Sequence, residues 1–347
     1  SCGIKREKKM NIKSKLMGAV AGIAMIAGAQ SATAAGHGGE ITVAYFLEWP
    51  MPFQFAKETG MYEAAMGGTK INWVSFDSGV AMSAAMASGD VQISVSQGIP
   101  PFVGAVSGGQ DLQVVDVAVS YSENDNCVVA SGLEIDKTSV AELAGKKVAV
   151  PLGTAAHYGF LKQMGHFGVD VGGMTIVDMA PAEGAAALSQ GAIDMACGWG
   201  GALRRMKESG NVLLTGAEKE ELGILVFDAT TAPASFVAEE GELLAQFLSV
   251  TAAANAMWNA GGDTAAKMLP VIAKDAGMDE AATAETLAGF IFPSVDDQLG
   301  ASWLGGGAQE FMGGVAQLFL DSGNIDAALD SYAGTVNTAP LTAAKGL

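Results

Sequence analysis

The residues best suited to chemistry lie between Lys146 and Gly165. Lys147-Val148-Ala149-Val150-Pro151 reads as a short apolar strand, Leu152-Gly153 as a tight turn, and Thr154-Ala155-Ala156-His157-Tyr158 as the opening of a helix. A chain that turns straight from strand into helix leaves its first helical N–H groups without carbonyl partners. With the helix dipole behind them, those groups form a site for an anion. Thr154 offers a hydroxyl, Ala155, Ala156 and His157 offer N–H donors, and Tyr158 offers an aromatic wall with a polar tip. The alternative is that Thr154 only caps a helix. The sequence supplies little other chemistry. His37, His157 and His166 are its three histidines, and they form no zinc spacing with the cysteines. Calcium-loop, phosphate-loop and serine-nucleophile motifs are missing, so no cofactor or metal is expected.

The elements that must position this turn occur twice. Strand Ile41–Phe46, loop Leu47–Pro50, helix Pro52–Glu58, strand Ile71–Phe76, turn Asp77–Gly79, helix Val80–Ala87 and strand Val91–Val95 make the first unit, closed by the turn Ser96–Pro100. Strand Lys147–Val150, helix Thr154–Phe167, strand Met174–Met179, turn Ala180–Gly184, helix Ala185–Gln190 and strand Ile193–Cys197 repeat that order, closed by Gly198-Trp199-Gly200. Alternating strands and helices predict parallel sheets, which gather ligands at the carboxyl ends of their strands. Two such lobes would face each other across a cleft. Leu112–Val119, Cys127–Ala130 and Leu222–Thr230 read as further strands. Asn126–Gly132 and Leu222–Ala232 are the expected hinges, dividing the chain into residues 35–130 with 228–347 as one lobe and 131–227 as the other. Residues 239–347 read as helices, with Leu243, Leu244, Phe247, Leu248 and Thr251 as a buried face and Trp258 in the core.

Composition narrows the class. Met10 to Lys15 is a short basic stretch, Leu16–Ala29 a short apolar run and Ala32-Thr33-Ala34 a cleavage-type site, together a secretory signal peptide, with Met10 as the expected start. Removing residues 1–34 takes six of 19 basic and one of 37 acidic residues, moving the formal charge from −18 to −23. That acidity argues against nucleic acid or anionic lipid as partner. Cys127 and Cys197 would remain, either as one disulfide or as two buried thiols.

The chain resembles the periplasmic taurine-binding proteins of ABC importers, within the wider sulfonate, nitrate and thiamine-precursor binding group. The resemblance is carried by Ile41-Thr-Val-Ala-Tyr45, Phe76-Asp77-Ser78-Gly79, Ala87-Ser-Gly-Asp-Val-Gln-Ile93, Gly145-Lys-Lys-Val-Ala-Val-Pro151, His157-Tyr158, Gly191-x-Ile-Asp194, Trp199 and Phe227-Asp228. It implies a type II periplasmic-binding-protein fold, two α/β lobes joined by two hinge strands, with C-terminal helices. It also implies a monomer that binds taurine in the periplasm, delivers it to a membrane permease and catalyses nothing. Sulfonate stays ionised and needs donors, which Thr154 to His157 supply with Gln97, Gly98, Ile99, Ser78 and Gly79 facing them. Asp228 matches the family position whose carboxylate takes the amine, and Trp199, Tyr158 and Trp49 are the candidate cation–π walls. Glu48 reads as a solvated loop charge and Asp77 as a cap. Two loops depart from the familiar pattern, Phe46-Leu47-Glu48-Trp49-Pro50 and Ser96-Gln97-Gly98-Ile99-Pro100. Both would line the cleft, leaving open another small sulfonate or a quaternary amine, or an enzyme on the same fold.

Overall fold

The computed structural model describes residues 39–224 and 226–347. The expected leader lies outside the described residues. The strands are β1 (Glu40–Tyr45), β2 (Lys70–Ser75), β3 (Ile93–Gly98), β4 (Leu112–Tyr121), β5 (Asp125–Ala130), β6 (Lys147–Val150), β7 (Thr175–Asp178), β8 (Met195–Trp199), β9 (Gly210–Val212), β10 (Val226–Pro233) and β11 (Phe290–Ile291). They form two sheets, ordered β11-β4-β10-β3-β1-β2 and β7-β6-β8-β5-β9. In the first, β1 pairs parallel with β2 and β3, and in the second, β6 pairs parallel with β7 and β8. Each parallel trio then meets one antiparallel strand. β10 lies against β3 in the first sheet and β5 against β8 in the second.

Those two antiparallel strands are the ones that follow a passage between sheets. β5 begins directly after the turn Ser122–Asn124, and its register sets Asp125 opposite Trp199 and Cys127 opposite Cys197. The outgoing passage therefore precedes the expected segment Asn126–Gly132, most of which is β5 itself. The polar pair Asp125-Asn126 reads as loop in sequence, yet both residues are buried. Asn126 is satisfied locally: its Nδ2 donates to Leu214 O at 2.8 Å, and its Oδ1 accepts from Cys127 N at 2.9 Å and Gln163 Nε2 at 3.2 Å. A strand held by side-chain bonds of this kind tolerates polar residues in its interior.

Two expected turns prove to be element ends. β3 continues through Gln97 to Gly98 and leads directly into the helix Ile99–Ser107, whose Pro100 and Pro101 sit where a helix needs no N–H. Likewise β8 reaches Trp199 and passes into the helix Gly200–Lys207. Cys127 and Cys197 form a disulfide across β5 and β8, their Cα atoms 3.9 Å apart, so the disulfide alternative holds and the free-thiol one does not.

The C-terminal helices cover the first sheet. Leu244, Phe247, Leu248 and Thr251 of the helix Gly241–Asn259 are buried, Leu243 is half-buried, and Trp258 packs half-buried at the edge of the same core. Phe247 stacks on Tyr62 at 4.5 Å, and the Tyr62 hydroxyl bonds Thr251 Oγ1 at 2.8 Å, which satisfies the one polar atom that stack would strand. Among the described residues no helix is long and apolar enough to cross a membrane.

Candidate functional site

A cavity lies between the carboxyl ends of the parallel strands of both sheets. The first sheet contributes Phe46 and Trp49 after β1, Gly79 at the start of the helix Gly79–Ser88, Gly98 and Pro101 after β3, Tyr121 at the end of β4, and Asp228 of β10. The second contributes Asp125 of β5, Thr154 and Ala155 after β6, and Trp199 of β8.

Part of the lining offers donors. The helix Ala155–Phe167 starts here, and among the described residues no protein acceptor meets the N–H groups of Ala155 and Ala156. Gly79 and Val80, first in their own helix, are in the same position. Two helix N-termini with unpaired amides thus border one small space, through Gly79 and Ala155, an arrangement suited to an anion. Gly79 is required there, because a Cβ would stand 2.7 Å from Pro101 Cγ.

Another part of the lining offers acceptors. Ser96 Oγ donates to Asp228 Oδ2 and Tyr121 OH to Asp228 Oδ1, each at 2.7 Å, while Trp49 Nε1 donates to Ser96 Oγ at 2.9 Å. This chain fixes the carboxylate and one indole wall as a unit, with lone pairs of Asp228 left over. Burial pushes Asp228 up to about 7, the nearby Asp125 adds to that, and the two hydroxyls oppose it. Burial also raises Asp125 to about 7, against the pull of Lys219, whose ammonium donates to the Asp125 carbonyl.

Of the expected contact residues, Thr154, Ala155, Asp228, Trp199, Gly98 and Trp49 line this cavity, and Ala156, His157, Tyr158, Gln97 and Ser78 do not. The Thr154 hydroxyl donates to Pro151 O at 2.6 Å and accepts from His157 N at 3.4 Å, so it serves as the helix cap. His157 Nδ1 accepts from Gly153 N at 3.0 Å, its ring lies against Phe319, and burial lowers its pKa to about 4, leaving it neutral at physiological pH. Tyr158 packs on Phe311, and the Ala156 methyl belongs to the second sheet's core. Gln97 donates to Gly79 O and Ser83 Oγ and accepts from Thr231, bracing the first jaw from behind. Ser78 Oγ accepts from Ala81 N at 3.2 Å as an N-cap. Sequence reasoning missed Tyr121, Asp125, Ser96 and Pro101 as parts of the site. For Ser96 the departing turn 96–100 was the signal; Asp125 lay inside an apparently ordinary polar turn.

The two jaws are clasped together. Gly201 N donates to Glu48 O at 3.1 Å, and the Arg205 guanidinium grips the Glu48 carboxylate through both oxygens, Nη2 to Oε2 at 2.9 Å. Glu48 is therefore an ion-paired residue bridging the two jaws, contrary to its expectation as a solvated charge; its own N–H is held by Ala276 O. Phe46 and Trp199, one from each jaw and with ring centroids 6.1 Å apart, line both this cavity and an outer vestibule.

The raised carboxyls give a pH signature. Folded Asp228 and Asp125, at about 7, and Asp116, at about 6, keep protons that the unfolded chain loses near the ordinary value of 3.8. Stability from these groups is complete below the unfolded value and is lost as pH rises through the folded one. His157, lowered to about 4, acts in the opposite sense. Asp228→Asn removes one group of the first kind. In the ligand-free protein, the melting temperature of the variant relative to wild type should rise between about pH 5 and about pH 8. A difference that stays flat would mean Asp228 is ionised across the whole range.

Comparison with known proteins places these residues in context. A family model described as NMT1/THI5 like matches residues 51–265. The taurine-binding periplasmic protein of Escherichia coli strain K12 is 29% identical over 207 residues, which is 60% of this chain and 62% of that protein, so the match spans under two thirds of that relative's length. The alkanesulfonate-binding protein SsuA of Xanthomonas axonopodis pv. citri, solved bound to MOPS, superposes with TM-score 0.71 at 21% identity, covering 88% of this chain and all of the other. The desulfurization enzyme DSZB also superposes, with TM-score 0.60 at 14% identity over 88% of this chain and 99% of the enzyme. At such identities the structural likenesses establish a fold shared by binders and an enzyme.

Proposed function

We propose that this chain, which belongs to the NMT1/THI5-like family, is the solute-binding component of an ABC importer and takes taurine between its two jaws. The observation that carries the reading is the pairing of donors and acceptors in one cavity lining. Unpaired helix amides and a buried, pre-oriented carboxylate border the same cavity, together with Trp49 and Trp199. An amine and a sulfonate two methylenes apart present the complementary charges. The E. coli relative binds taurine by its name, and the Xanthomonas relative supports a sulfonate more generally.

In this reading the sheets are the cores of two lobes, the turn Ser122–Asn124 and the return into β10 are the hinges, and closure is driven by ligand contacts to both. The protein acts as a monomer in the periplasm and hands its cargo to a membrane permease. Binding is favoured over catalysis because the residues lining the cavity include no thiol or imidazole, and Asp228 is tied up by two hydroxyls rather than poised beside a nucleophile.

Asp228→Asn tests the assignment of the amine. The variant should bind taurine about tenfold or more weakly, the range expected for losing a charge-assisted bond, and should bind isethionate, which lacks the amine, as wild type does. Equal losses for both ligands would assign Asp228 to holding up the cleft wall instead.

A further inference from the structure

Asp228 is not the most available acceptor in the cavity. Both of its oxygens already accept a hydroxyl, from Ser96 and from Tyr121. Asp125 also lines the cavity, is 3% exposed, and its Oδ2 is sealed from solvent without any hydrogen-bond partner. A buried carboxylate oxygen with no donor is costly and rare unless something absent from the free chain supplies the donor. The cation nearest in the chain's own network, Lys219, does not fill this role: its ammonium is spent on the Asp125 backbone carbonyl. Asp125 stands on β5 in register opposite Trp199, two residues before the Cys127–Cys197 disulfide that joins the same two strands.

We infer that Asp125 is a second ligand carboxylate and that Asp125 and Asp228 together select a primary ammonium over its N-methylated forms. This rests on the proposed function and sharpens it to the substitution state of the nitrogen. Two carboxyl groups that face one small space cannot both ionise without repulsion, and a single cation between them lets both do so. A primary ammonium has three N–H donors, enough to bond each carboxylate separately and still present an edge to Trp49 or Trp199. A trimethylammonium has none. It would satisfy the aromatic walls while leaving the Asp125 oxygen without a donor, and a site built around an N–H rejects the analogue that lacks it.

The test is calorimetric titration of the full-length protein with taurine and its N-methyl, N,N-dimethyl and N,N,N-trimethyl derivatives, beside isethionate. Wild type should lose affinity with successive methylation, by about a hundredfold or more at the trimethyl form. Asp125→Asn should weaken taurine about tenfold or more, leave isethionate within about twofold, and flatten the methylation series. A wild type that binds the trimethyl form as well as taurine overturns the inference without any variant being needed. So does an Asp125→Asn protein that keeps wild-type preference. Should taurine and all its derivatives fail to bind while isethionate binds, the proposed function itself falls, a distinguishable outcome.

Discussion

Gly200→Ala should weaken binding of taurine and of isethionate alike, by about tenfold to a hundredfold. Gly200 starts the helix that follows β8, at φ +56°, and a Cβ there would stand 2.2 Å from Glu48 O and 3.2 Å from the Trp49 ring. Both of those atoms belong to the opposite jaw. The added methyl therefore lands on the clasp itself and must separate Glu48 O from the Gly201 N–H that it accepts. Overpacking of this kind costs about 1–3 kcal/mol, and the cost falls on the closed form. Left-handed strain is a separate penalty, borne in open and closed forms alike. Gly191→Ala separates the two, because Gly191 has φ +70° but open space around its Cβ position. That control should lower the melting temperature and spare affinity. If both variants lose affinity equally, or if neither does, Gly200 is not a closure contact. The Glu48–Arg205 pair contributes less, since 32–40% of each side chain stays exposed and solvent screens the charges.

Replacing both cysteines, Cys127→Ser with Cys197→Ser, should lower unfolding stability by about 2–4 kcal/mol, read as a fall in the denaturant midpoint. The bridge closes a segment of 70 residues that includes β6, β7 and the helices between them. Freeing so long a loop returns much conformational entropy to the unfolded chain. The bond also sits two residues from both Asp125 and Trp199. Its loss should therefore weaken taurine binding more than it weakens isethionate binding, because the amine side of the cavity hangs on β5. An unchanged midpoint with and without reductant would show that the β5–β8 pairing holds without help.

The two-jaw architecture was legible because its signals are local. Pro151-Leu152-Gly153-Thr154 announces a strand-to-helix turn in any context, and the matching order around Phe46 and Pro52 announces a second copy. Thr154, Ala155, Trp49, Gly98 and Trp199 followed from the rule that ligands gather at strand ends, and all five line the cavity. What sequence could not convey is the exchange of antiparallel strands. Ser122-Glu-Asn-Asp-Asn126 has the composition of a solvated turn, and only pairing of β5 with β8 buries its last two residues. Asp125 lines the cavity for that reason alone. The over-extended expectations err the other way. His157 and Tyr158 lie in the first helical turn, but the helix rotates their side chains by about 100° per residue, into contact with Phe319 and Phe311 of the helix Gly307–Asp321. Those partners lie more than 150 positions on, beyond the reach of local pattern. Glu48 gave no sign of its partner either, since Arg205 stands 157 residues later.

The central claim is that the cavity is built for an amine and a sulfonate together. Calorimetric titration of the wild-type protein against taurine, hypotaurine, isethionate, an alkanesulfonate and glycine betaine tests it most directly. Taurine should bind tightest, with isethionate and the alkanesulfonate weaker by about tenfold or more for want of the ammonium. An alkanesulfonate or glycine betaine that outranks taurine would contradict it.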